Sequence, residues 1–205
     1  MNISIGYLPN KYYDFTPDMG GFFPFALDNK LPYVVSMCDI YLPECDENFV
    51  PSWMDNIKAY PLYFCADVPN YFKDECEEIF KASQIEYRYL TEDRESSVSV
   101  VKIQDREQLL TAFPSFITLG CEGSVVVWNT KEDVFSVEQR EWKGNWKGLI
   151  EKTIVIKPKA DMSIFWIGYD GNSIEILSNQ TYFSTYENIT STLPEFVEPS
   201  LCEFA

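Results

Sequence analysis

Residues 163–177 read SIFWIGYDGNSIEIL: two runs rich in β-branched and aromatic side chains, Ser163 to Tyr169 and Ser173 to Leu177, separated by Asp170-Gly171. Asp-Gly tolerates the positive φ angles of a primed turn, whose twist matches that of paired strands. The segment therefore predicts an antiparallel β-hairpin. Upstream, Thr153 to Lys157, Val134 to Glu138, Gly123 to Asn129 and Phe116 to Leu119 also read as strands, with Thr130 to Asp133 a hairpin-length loop between two of them. Ser97 to Ile103 and Ile85 to Leu90 continue the series, on either side of a charged connection from Thr91 to Ser96.

Helices punctuate these strands. Phe72, Cys76, Ile79 and Phe80 share one face at helical spacing, which predicts a helix from about Tyr71 to Ser83 with Asn70 as N-cap. Asp105 caps a second helix over Arg106 to Phe113, and Pro114 is expected to stop it. Ser184-Thr185-Tyr186-Glu187 has the capping-box pattern, so a third helix starts at Ser184 and ends before Pro194. The tail beyond is expected to be extended.

Eight of the twelve prolines fall in the first 69 residues. Proline removes a ladder donor and restricts its predecessor. This part predicts short strands, Asn2 to Tyr7 and Tyr33 to Tyr41, joined by irregular loops. Phe22-Phe23-Pro24-Phe25 is either core under a loop or a binding surface, with core favoured because buried aromatics dominate cores. The expectation is an α+β fold with a mainly antiparallel sheet, about three helices and an irregular N-terminal part. The length suits a single compact domain over 1–205, with 1–95 and 96–205 as potential subdomains.

The chain has no histidine, a formal net charge of -16, 46% apolar and 16% aromatic residues. Lack of histidine removes Ser-His and Cys-His nucleophile activation and most zinc sites. No Gly-rich phosphate loop, nucleophile elbow or EF-hand pattern occurs. The cysteines 38, 45, 65, 76, 121 and 202 form no C-x-x-C pair. Cys45 lies between Glu44 and Asp46, a field that opposes a thiolate. No catalytic residue, metal ligand or cofactor is assigned. The N-terminus lacks the basic and apolar blocks of a signal peptide, and no apolar run is long enough for a membrane. The expected compartment is the cytoplasm, with reduced thiols.

What remains is an acidic, aromatic-rich surface. Its densest acidic clusters are Glu44-Asp46-Glu47, Asp74-Glu75-Glu77-Glu78 and Glu92-Asp93-Glu95. The bland reading of such clusters is a solvated face that aids solubility; the functional one is steering toward a basic partner. Trp142 and Trp146 sit among Arg140, Lys143 and Lys147. They either pack on the sheet or, if exposed, anchor a partner protein. Direct nucleic-acid binding is not expected, because the net charge repels a polyanion. The expected partner-binding residues are Asp74, Glu75, Glu77, Glu78, Glu92, Asp93, Glu95, Trp142 and Trp146. The leading expectation is a non-catalytic cytoplasmic binding protein that inhibits or neutralises another protein: an immunity protein, an antitoxin or a phage anti-defence inhibitor, with nucleic-acid mimicry a special case. The alternative is a carboxylate-dependent enzyme or a carbohydrate- or small-ligand-binding domain.

Overall fold

The computed structural model describes residues 1–9, 22–141 and 147–204. In chain order the elements are β1 (Asn2–Tyr7), β2 (Ala26–Leu27), β3 (Tyr33–Cys38), α1 (Phe49–Asn56), β4 (Leu62–Pro69), α2 (Asn70–Ala82), β5 (Glu86–Glu92), β6 (Ser96–Ile103), α3 (Arg106–Cys121), β7 (Val126–Asn129), β8 (Phe135–Glu141), β9 (Ile150–Ile156), β10 (Ser163–Ile167), β11 (Ile174–Ser178), α4 (Tyr186–Thr190) and β12 (Glu198–Leu201). Nine strands form one sheet in the order β12-β1-β3-β11-β10-β7-β4-β6-β5, and β2-β9-β8 form a second. Strands from either side of residue 95 interleave in the large sheet.

Most pairings are antiparallel, as expected, but the architecture is mixed. β12 runs parallel to β1, and β2 runs parallel to β9. The predicted hairpin is β10–β11, with Phe165 opposite Ile176. Its turn has φ of 58° at Asp170 and 71° at Gly171, the signs a primed turn demands. A hydrogen bond from Gly168 N to Ser173 O, 2.9 Å, closes the longer loop around it.

Residues of β10 and β11 are buried throughout rather than alternately. The reason is that both faces of the sheet are covered. One face carries the helices: Phe64, Trp128, Phe165 and Ile176 pack there against Trp53, Phe80, Phe113 and Phe116. The other face, with Val34, Cys65, Val127 and Trp166, meets Phe23, Phe25, Phe135, Ile154 and Ile156 from the small-sheet side. Phe23 and Phe25 place edges on Trp166 at centroid distances of 5.7 and 6.1 Å, so the early aromatic cluster is core.

Four neighbouring rings form a stacked ribbon on the helix side. Phe116 lies 4.3 Å from Phe64, Phe64 lies 5.2 Å from Trp128, and Trp128 lies 5.2 Å from Phe165, all within 14° of parallel. The last three are cross-strand partners on β4, β7 and β10, so sheet register sets the stack.

Several sequence expectations need correction. The N-terminal part contains a helix that was not expected, α1, and the described residues hold four α-helices rather than about three. Pro51 falls in the first turn of α1, where an amide has no intrahelical acceptor to lose. Pro114 does not stop α3, which absorbs the predicted Phe116 to Leu119 strand. Burial of Leu109, Ala112, Phe113, Phe116 and Leu119 on one continuous stripe outweighs the missing hydrogen bond. The Thr130 to Asp133 loop is not a hairpin turn. It carries the chain from β7 in the large sheet to β8 in the small one.

Two caps also move. Asn70 is the first residue of α2, and its side-chain amide donates to Asp93 O at 3.1 Å instead of capping. Thr185, not Ser184, caps α4 by accepting from Asn188 N. The Ser184 hydroxyl is already committed to Thr181 O and the Asn188 side chain.

Candidate functional site: an acid-rimmed groove on the helix layer

The helix layer is locked by α1 and α3. Arg106, at the start of α3, reaches Asp55 at 2.7 Å, Asn48 at 2.8 Å and Ser52 at 3.1 Å. At the other end, α3 approaches the sheet closely at Gly120, where a Cβ would come within 2.6 Å of Ile167 Cγ2. Its last residue, Cys121, packs on the β10–β11 turn, and a side chain at Gly171 would meet Cys121 Sγ at 2.6 Å. The helix is therefore held at both ends while one flank stays open.

That open flank is one wall of a groove of about 480 Å³. Leu110, Phe113, Pro114, Ile117, Thr118 and Cys121 line it from α3. These positions recur at three- and four-residue steps, so they form a single stripe along the helix. It runs beside the core stripe and shares Phe113 with it, whose ring also packs on Phe64 and Trp128 of the sheet. The facing wall is the segment from Leu42 to Val50, including Pro43, Cys45 and Phe49. The floor is apolar. Among the described residues the charged members are all acids, Asp46 and Glu47 on one wall and Glu122 past the end of α3.

The two groove cysteines are not activated. Burial pushes the Cys45 thiol up, and Asp46 and Glu44 add to it against a backbone hydrogen bond. Burial, then Asp170 and Glu122, push Cys121 up as well. Both stay thiols at neutral pH and behave as small apolar groups.

The acidic rim continues onto α2. Tyr71, 75% exposed, donates its hydroxyl to Glu122 at 2.6 Å and so links the start of α2 to the end of α3. Cys76 and Phe80 face the sheet. At about 100° per residue, Tyr71, Asp74, Glu75 and Glu78 lie on the far side, toward solvent. Asp74, Glu75 and Glu78 are exposed and have no ion-pair partner among the described residues.

The other predicted residues are divided differently. Glu77 is pulled toward β5: Lys81 donates to it at 2.6 Å and the Tyr89 hydroxyl at 2.9 Å, which together lower its pKa. Glu92 is bound by Lys73. Asp93 takes Lys152 at 2.7 Å and the amides of Glu95 and Ser96, and these donors hold its carboxyl well below the usual range. Glu95 is exposed beside it. Glu77, Glu92 and Asp93 thus neutralise nearby lysines, while Asp74, Glu75, Glu78 and Glu95 leave their charge to solvent. Trp142 and Trp146 lie outside the described residues.

A proline that reads as a helix end, Pro114, hides the groove in the sequence. The signal was present: Leu110, Phe113, Ile117 and Cys121 already keep a helical period across the proline.

A second unusual group sits on the opposite sheet face. Glu175 is 2% exposed, between Ser36 of β3 and Trp166 of β10. Its Oε1 accepts from Ser36 at 2.9 Å and Ser173 at 2.8 Å, and its Oε2 has no partner among the described residues. Burial pushes its pKa up to about 7, against the two serine hydrogen bonds.

No helix among the described residues is long and apolar enough to cross a membrane. No protein-family model matches the chain, and comparison with curated proteins and with solved structures found no significant match.

Proposed function

We propose that this chain acts by stoichiometric binding of a protein with a basic surface, as an inhibitor or neutraliser of the immunity-protein, antitoxin or anti-defence kind. The observation that carries the reading is the solvent-facing charge of Asp74, Glu75 and Glu78, joined through Tyr71 and Glu122 to an apolar groove whose charged lining, among the described residues, is acidic. Long-range attraction by such a rim speeds encounter, and apolar surface within it supplies contact energy once water is expelled. The proposal places the chain in the cytoplasm, where its six cysteines stay thiols.

The test is capture from native lysate, followed by association kinetics with the captured partner. Reversal of Asp74, Glu75, Glu77 and Glu78 to lysine should slow association and flatten its dependence on salt, with little change in dissociation. A folded quadruple variant that associates at the wild-type rate would remove α2 as the steering surface. Multiple turnover of any substrate by the purified chain would overturn the binding role itself.

A further inference from the structure

We propose that the groove along α3 accepts an amphipathic helix of the partner, apolar on one face and lysine- or arginine-rich on its flanks. This rests on the binding role proposed above and names the element that would be bound.

The dimensions fit a helix. The α3 stripe from Leu110 to Cys121 spans eleven steps, about 16 Å at 1.5 Å per residue, which is about three turns. A second helix laid alongside would present apolar side chains at the same three- and four-residue repeat, its ridges entering the spaces of the stripe. Strand addition is unsuited to this site. An extended segment needs a free sheet edge, whereas this wall is made of helix side chains over a backbone already hydrogen-bonded within α3.

The charge pattern selects the flanks. Asp46 and Glu47 stand on one wall and Glu122 at the far end, and among the described residues no lysine or arginine lines the groove. The C-terminal end of α3 adds the negative pole of a sixteen-residue helix at that same end. An acidic or neutral helix would lose this attraction, so its binding would be weaker. Cys45 and Cys121 remain uncharged on the two walls, so the cleft is apolar between its charged margins.

The probe is a fluorescein-labelled model peptide of leucine and lysine, with leucines at the repeat i, i+3, i+4, i+7 and i+11. A leucine–glutamate peptide of the same pattern and a proline-interrupted leucine–lysine peptide are the controls. The leucine–lysine peptide should bind the full chain saturably at one to one, more weakly as salt rises, and the controls should not compete. Thr118→Arg, at an exposed groove position, should weaken binding by about tenfold or more by filling the cleft with a like-charged side chain. Ile117→Ala should weaken it less, through lost contact alone. Equal binding of the two charged peptides, no saturable binding, or full affinity in a folded Thr118→Arg variant would each overturn the groove assignment. So would displacement of a small apolar dye without peptide binding, which would make the cleft a small-ligand site.

The two proposals fail separately. A captured partner whose association depends on α2 charge but not on Thr118 leaves the binding role intact and removes the groove. A chain that binds the peptide but captures no basic partner does the reverse.

Discussion

Replacing Glu175 by glutamine should abolish most of the pH dependence of stability between about pH 5 and pH 8. The carboxyl titrates at 4.5 when solvated and is pushed up to about 7 in the fold by burial, despite hydrogen bonds from Ser173 and Ser36. A raised carboxylate pKa means that the folded state favours the neutral acid. Its contribution is fully present below about 4.5, is lost as pH rises toward 7, and stays lost above that. At roughly 1.4 kcal/mol per pH unit, the interval amounts to about 3 kcal/mol. Glutamine keeps an oxygen for the two serines and never ionises. At pH 5 the variant should match the wild type within about 1 kcal/mol, since each has an unpartnered donor group at the Oε2 position, an O–H in the acid and an NH2 in the amide. At pH 8 it should be more stable by about 3 kcal/mol. Urea titrations of both proteins, followed by tryptophan fluorescence at several pH values, give the difference directly. Taking that difference cancels the titration of the other carboxylates. Parallel stability curves for the two proteins from pH 5 to 8 would refute the reasoning.

Other outcomes follow from the helix layer. Gly120→Ala should destabilise by about 1–2 kcal/mol, because the new methyl meets the branched Ile167 side chain at 2.6 Å and overpacking exceeds the gain in helix propensity; thermal unfolding reads the change. Pro114→Ala should stabilise by about 2 kcal/mol, by restoring a mid-helix hydrogen bond at an exposed position, less the entropy that proline removes from the unfolded chain. A drop in denaturation midpoint would show that the proline is built into the helix without cost. All six cysteines should titrate as free thiols in denaturant without reductant. In the native state Cys65 and Cys76 should react slowest with a thiol reagent, since burial shields both and pushes Cys76 up to about 12. Fast native modification of either would place it at the surface.

The hairpin at 163–177 was legible because its determinants are local. Asp170-Gly171 accepts positive φ, and β-branched residues flank it, whatever the rest of the chain does. The same holds for α2, whose apolar stripe at Phe72, Cys76, Ile79 and Phe80 needs no distant partner to be seen. The acidic clusters were equally plain, since charge is a property of composition. The sequence alone thus determined this hairpin and α2, and that the chain would be strongly negative.

Tertiary structure decided the rest, because those outcomes depend on contacts between residues far apart in the chain. Only the packed sheet stripe makes α3 continue through Pro114, and only that continuation creates the groove. Only placement decides that Glu77, Glu92 and Asp93 meet Lys81, Lys73 and Lys152 while Asp74, Glu75 and Glu78 face solvent. Glu175 is the sharpest case. In sequence it alternates with Ile174 and Ile176 and reads as the solvent side of a strand. A second layer, with Phe23, Phe25 and the small sheet, covers that side, and its burial turns a surface carboxylate into one that titrates near neutrality.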